Sequence, residues 1–88
     1  MPLDHDTVRS RMLAIIKTLA PETDTAAIID SAPLRKQIDL DSMDWLNLLA
    51  AIEEQLAVKI PETDYGHLAT LERIVAYLVQ RLAAAGKE

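Results

Sequence analysis

Apolar residues in this chain recur at helical spacing in three stretches. Val8, Met12, Ile15 and Leu19 are separated by four, three and four positions, which draws one stripe along a helix over about residues 6–19. Asp4 and Asp6 each offer a carboxylate to cap its start. Pro21 ends it, because proline cannot continue the hydrogen-bond ladder. Leu46, Leu49, Ile52 and Leu56, with Met43 one turn above, predict a second buried stripe on a helix over about 42–57. Leu71, Ile74, Val75, Leu78 and Leu82 predict the last, over about 70–84, with Thr70 as its cap and Gly86 as its stop. Pro61 to Tyr65 fits a short helix over about 62–67, ended by Gly66.

Alternation with a period of two is missing from the sequence, and so is any internal repeat. The elements therefore predict an all-α fold: a small four-helix bundle formed by a single domain over residues 1–88. Residues 21–40 form a long first connection, punctuated by Pro21, Asp24, Asp30, Ser31 and Pro33. Ala26 to Ile29 fits one turn of helix. Ile28, Ile29, Leu34 and Ile38 read as apolar plugs that pin the connection to the core.

The start of the second helix is the clearest local signal. Asp41 is placed as its N-cap, and Asp44 lies three residues on, where an acidic side chain favours the positive helix end. Leu40 and Trp45 occupy the two positions of a hydrophobic staple.

Composition narrows the function. The chain has 88 residues, no Cys, two His and a formal charge of -5. Without Cys there is no disulfide, no thiolate nucleophile and no Cys-ligated metal. The acidic balance argues against nucleic acid and anionic membranes as partners. No apolar run approaches the roughly 18 residues of a spanning helix, and the N-terminus lacks the pattern of a secretory signal. A cytoplasmic monomer is expected. Charge is also unevenly divided. Residues 37–64 hold seven acids and only Lys59, whereas residues 1–36 hold five of each sign. Capping accounts for Asp41 and Asp44 but not for Glu53 and Glu54, which sit where the helix dipole disfavours them. The strip is either a solvated face or a docking surface for basic partners.

Little here suggests catalysis. The three Ser residues have no His adjacent in sequence, and so short a bundle has little room for an orienting group, a pocket and an oxyanion hole. Asp39, Asp41 and Asp44 lack the spacing of a calcium loop, and no metal site is expected. Ser42, in the first turn of the second helix, is a favourable place for a covalent phosphate, next to free amides and the positive end of the dipole.

The run Leu40–Asp41–Ser42–Met43–Asp44 resembles the modification motif of acyl carrier proteins, whose core is Asp–Ser–Leu. Leu46, Leu49, Ile52, Glu53, Glu54 and Leu56 resemble that family's second helix, Ile60–Pro61 its Ile–Pro junction, and Thr70, Leu71, Ile74 and Tyr77–Leu78 its last helix. The resemblance spans residues 34–82, and the first helix in pattern. It implies a bundle of the acyl-carrier type that is not an enzyme. Ser42 would carry 4′-phosphopantetheine, transferred from coenzyme A, and the arm's thiol would hold acyl groups as thioesters for fatty-acid, lipid or specialised metabolite biosynthesis. It further implies a phosphopantetheinyl transferase and acyl-transferring, condensing or acyl-activating enzymes with basic patches as partners. These would dock on Asp41, Met43, Asp44, Trp45, Glu53 and Glu54. The acyl chain would tuck against Met43, Leu46, Ile60 and Leu68.

Four positions depart from that family's pattern: Asp39 for Gly, Met43 for Leu, Asn47 for Glu, and the large Trp45. Trp45 has two readings, an inert staple or a ring beside the arm or the partner surface, and the second is favoured. The alternative for the whole chain is a non-catalytic acidic adaptor that binds basic surfaces without a prosthetic group.

Overall fold

The computed structural model describes residues 4–38 and 40–85. Within them the chain forms α1 (His5–Leu19), a 3₁₀ turn (Thr25–Ala27), α2 (Leu34–Gln37), α3 (Ser42–Leu56), a 3₁₀ helix (Glu62–His67) and α4 (Leu71–Ala85). The fold is all-α. The expected Gly86 stop and the Asp39 departure lie outside the described residues.

Asp4, not Asp6, caps α1: its carboxylate accepts the Thr7 amide at 2.8 Å. That bond holds the Asp4 carboxyl below its ordinary range. Val8, Met12, Ile15 and Ile16 are buried, but Leu19 is 42% exposed. A row of four, three and four residues drifts around a helix of 3.6 residues per turn, so Ile16 completes the stripe and Leu19 leaves it. α1 packs most extensively against α4 and α3. The buried side chains of Met12, Ile16, Leu49, Ile52, Leu71 and Leu78 belong to their common core.

The long first connection is tied to α1 and to the start of α4. Arg9 on α1 grips the Asp30 carboxylate through two donors at 2.8 and 2.9 Å. This fork holds the Asp30 carboxyl below its usual value. The Asp30 carbonyl accepts the Glu72 amide in the first turn of α4 at 3.0 Å, and the Leu34 amide donates to the Ala69 carbonyl at 2.8 Å. The Gln37 side chain accepts the Ile29 amide at 2.7 Å and donates to the Ile29 and Ala32 carbonyls at 2.8 and 3.2 Å. Ile28, Leu34 and Ile38 are buried as expected, but Ile29 is 60% exposed. Ile28 is extended, and successive side chains of extended backbone point to opposite sides.

The short element before α4 is a 3₁₀ helix, and Gly66 lies inside it; the helix continues to His67. None of its side chains is buried. Ile60 and Leu68, immediately outside it, are 4% and 0% exposed and anchor its two ends. Asp64 ties its middle to α4, accepting the Tyr77 hydroxyl at 2.6 Å and Arg81 at 3.1 Å. Thr70 caps α4 through its hydroxyl, which accepts the Arg73 amide at 3.1 Å.

Candidate functional site

The first turn of α3 is built by its cap. Asp41 is extended, its carboxylate accepts the Asp44 amide at 2.8 Å, and its carbonyl accepts the Trp45 amide at 2.9 Å. Asp41 therefore fixes the direction of the helix start, and Ser42 becomes its first residue. The Ser42 side chain is exposed. Ser42, Leu46, Ala50 and Glu54, each four residues apart, are all exposed, so one solvent-facing row runs about 18 Å along the helix from the hydroxyl.

The expected site residues divide between the exposed surface of the helix and its buried or half-buried side. Asp41, Asp44 and Glu54 are exposed. Met43 and Leu46, expected in a buried stripe, are 67% and 46% exposed. The buried face of α3 consists instead of Trp45, Leu48, Leu49, Ile52 and Leu56. The inclusion of Trp45 and Leu48 rotates that face away from Met43 and Leu46. Of the four residues expected to meet an acyl chain, Ile60 and Leu68 therefore lie inside and Met43 and Leu46 outside.

Trp45 is 8% exposed. The ring is packed into the bundle, which leaves little of it to serve the partner docking expected of Trp45. Half-buried Leu40 packs against the same core, on the side of the helix start where a staple would hold it. The outer side of the ring carries Arg35 of α2, whose guanidinium carbon lies 5.7 Å from the ring centroid. Nothing in the local sequence pattern pairs those two residues, which are brought together by the connection folding back on α3.

Glu53 is half-buried and accepts the Ile60 amide at 2.8 Å. Its place near the negative end of α3, unexplained by capping of the helix start, is explained by this tie to the following segment. Glu54 is the acidic residue there left to the solvent. Among the described residues, no group of three or more His, Asp or Glu is placed to hold a metal ion, and no helix is long and apolar enough to cross a membrane.

What the site can do chemically is limited and definite. It offers one exposed hydroxyl at a fixed helix start, flanked by two carboxylates, above an exposed apolar and acidic row. Among the described residues, no His or carboxylate is hydrogen-bonded to that hydroxyl.

Comparison with known proteins agrees with that geometry. Residues 10–78 match the family model described as a phosphopantetheine attachment site. The chain is 26% identical over 84 residues to acyl carrier protein 3, mitochondrial, of Arabidopsis thaliana, covering 96% of this chain and 63% of the relative. It is 30% identical over 79 residues to the mitochondrial acyl carrier protein of Saccharomyces cerevisiae, covering 86% and 63%. Against the acyl carrier protein of Streptomyces coelicolor it is 29% identical over 79 residues, covering 90% and 82%. The chain thus spans less than two thirds of the mitochondrial relatives and most of the bacterial one. Proteins of this kind carry 4′-phosphopantetheine and are carriers, not catalysts. With more than half of its length inside the family's match, the chain belongs to the acyl carrier protein family.

Proposed function

We propose that Ser42 is the attachment residue and that the chain holds acyl intermediates for partner enzymes of fatty-acid, lipid or specialised metabolite synthesis. The observation that carries this reading is the exposed Ser42 hydroxyl at the first position of a helix whose cap, Asp41, is complete without it. A group joined there disturbs no hydrogen bond of the cap. It also projects from the positive end of the helix, which favours a phosphate. The residues present therefore fit the prosthetic group.

When attached, the arm supplies a terminal thiol that carries an acyl group as a thioester, which a chain without Cys cannot do itself. Everything else falls to the protein's own residues. Asp41 holds the helix start rigid, so the modified oxygen is presented in one direction. With Asp41 committed to the cap and no described base hydrogen-bonded to its hydroxyl, Ser42 depends on a separate phosphopantetheinyl transferase to remove its proton. Met43, Leu46 and Glu54, exposed along the same helix, offer an apolar strip with an acidic end to partners that bear a basic patch. A long acyl chain entering the bundle would have to part Ile60 and Leu68, which close the core beneath the 3₁₀ helix.

Peptide mass spectrometry of the protein from its own cells tests the reading. A phosphopantetheine on the peptide containing Ser42, bearing an acyl group released by hydroxylamine, is the expected result. A peptide wholly unmodified in actively growing cells contradicts it.

A further inference from the structure

We propose that the groove beside the start of α3, walled by Pro33, Leu40 and Ala69 and edged by Arg35 and Lys36, seats the phosphodiester and the adjoining apolar segment of the prosthetic arm. The inference rests on the reading of Ser42 as the attachment residue.

The groove is open to solvent and offers about 400 Å³, within the size range of small-molecule sites. Its walls are fixed before anything binds. The Leu34 amide donates to the Ala69 carbonyl at 2.8 Å, and Pro33 and Thr70 pair as an isolated β-bridge. Leu40 is two residues from Ser42, so their Cα atoms are at most about 7 Å apart. The groove therefore begins within reach of an arm attached to Ser42.

Charge supplies the occupant. A phosphodiester on Ser42 stands between Asp41 and Asp44, both exposed and of like sign. In a stretch of seven acids and one base, those carboxylates push it away, and at such separations salt screens the repulsion only in part. Arg35 and Lys36 are the opposite charges at the edge of this stretch. Among the described residues neither takes part in an ion pair. Arg35 is held in place by the Trp45 ring, 5.7 Å from its guanidinium carbon. Trp45 in turn lies three residues after Ser42, on a neighbouring face of α3. The large residue that seemed out of place by sequence thus becomes the platform for the cation. Beyond its phosphate the arm has a carbon bearing two methyl groups, which suits Leu40, Pro33 and Ala69.

The test compares backbone amide spectra of the unmodified protein and of protein loaded from coenzyme A, with loading verified by intact mass. Loading should shift the amides of Leu40, Ala69 and Thr70 as well as those next to Ser42. In the variant Arg35→Gln/Lys36→Gln, shown folded by circular dichroism and fully loaded by mass, the shifts at Leu40 and Ala69 should fall by at least half. The control Arg11→Gln should leave them unchanged. Shifts confined to residues 43–47 in a fully loaded protein would overturn the groove while leaving Ser42 as the attachment residue. Shifts at Leu40 and Ala69 that persist undiminished in the double variant would overturn the part of Arg35 and Lys36. Shifts that appear only after a cargo ending in a carboxylate is attached would assign the groove to the cargo and overturn the proposal. Absence of any mass gain would overturn the attachment reading, and the inference with it.

Discussion

The Glu53 carboxylate accepts the Ile60 amide across seven residues, at 2.8 Å. It joins the last turn of α3 to the segment that leads into the 3₁₀ helix. Its neighbour Glu54 has no such tie and is exposed. Two adjacent acids of the same strip thus do different work, and substitution should separate them. Glu53→Ala leaves a part-buried amide without its acceptor and should lower stability by about 1–2 kcal/mol, read as a shift in urea midpoint. Glu54→Lys should leave the midpoint nearly unchanged. It should instead slow association with a basic partner such as the transferase, and the loss should shrink as salt rises. An association rate indifferent to Glu54→Lys would make the strip an ordinary solvated face.

Ala57 ends α3 in the left-handed region, with φ of 54°. Its amide and that of Val58 both reach the Glu53 carbonyl, so the strained backbone closes the helix end. A Cβ in that region is unfavourable, and glycine has none. Ala57→Gly should therefore raise stability by about 0.5–1 kcal/mol, the reverse of the usual effect of glycine. A lowered thermal midpoint would show that the residue relaxes out of this conformation in solution.

Asp64 links acidity to the 3₁₀ helix. The Tyr77 hydroxyl, and secondarily Arg81, hold its carboxyl below the ordinary value of 3.8. The unfolded chain therefore takes up that proton before the folded one does. The tie is fully present above the ordinary carboxylate value, and it is lost as pH falls through the depressed one. Between neutral pH and pH 5, Asp64→Asn should lower the thermal midpoint. The gap to wild type should narrow as the pH drops below about 4. A gap of constant size down to pH 2 would show that the carboxylate's charge is not what matters there.

Trp45 combines a buried ring with a charged neighbour, and the two can be separated. Trp45→Ala should cost about 3–5 kcal/mol, as expected for removing a large core ring. Arg35→Gln removes only the cation above the ring and should cost less than about 1 kcal/mol. Equal and small losses for both would mean that the ring does not support the core.

The three long helices are legible in the sequence because each carries its own periodic stripe and its own cap or breaker, whereas the four-residue α2, with neither stripe nor side-chain cap, lies in what reads as a connection. Asp41, Pro21 and Thr70 act locally, so their roles could be read locally. The faces were less legible. Met43 and Leu46 fit a helical stripe with Leu49 as well as Trp45 and Leu48 do, and only the packing partners decide which pair is buried. The ties of Arg9 to Asp30, Glu53 to Ile60 and Arg35 to Trp45 join residues far apart in the chain, for which spacing gives no signal. Tyr77 and Arg81 are one helical turn apart and so visibly share a face, but their partner Asp64 lies on another element. The proposed attachment residue stands out through the motif around it, because Ser42 and its cap Asp41 are consecutive.

Ser42 is the centre of the account, and intact mass tests it most directly. Wild-type protein and Ser42→Ala are incubated with coenzyme A, magnesium and a phosphopantetheinyl transferase known to be active on a control carrier. The wild type should gain one phosphopantetheine, and Ser42→Ala, folded to the same helical content, should gain none. A wild-type mass that does not change, or an equal gain in Ser42→Ala, would contradict it.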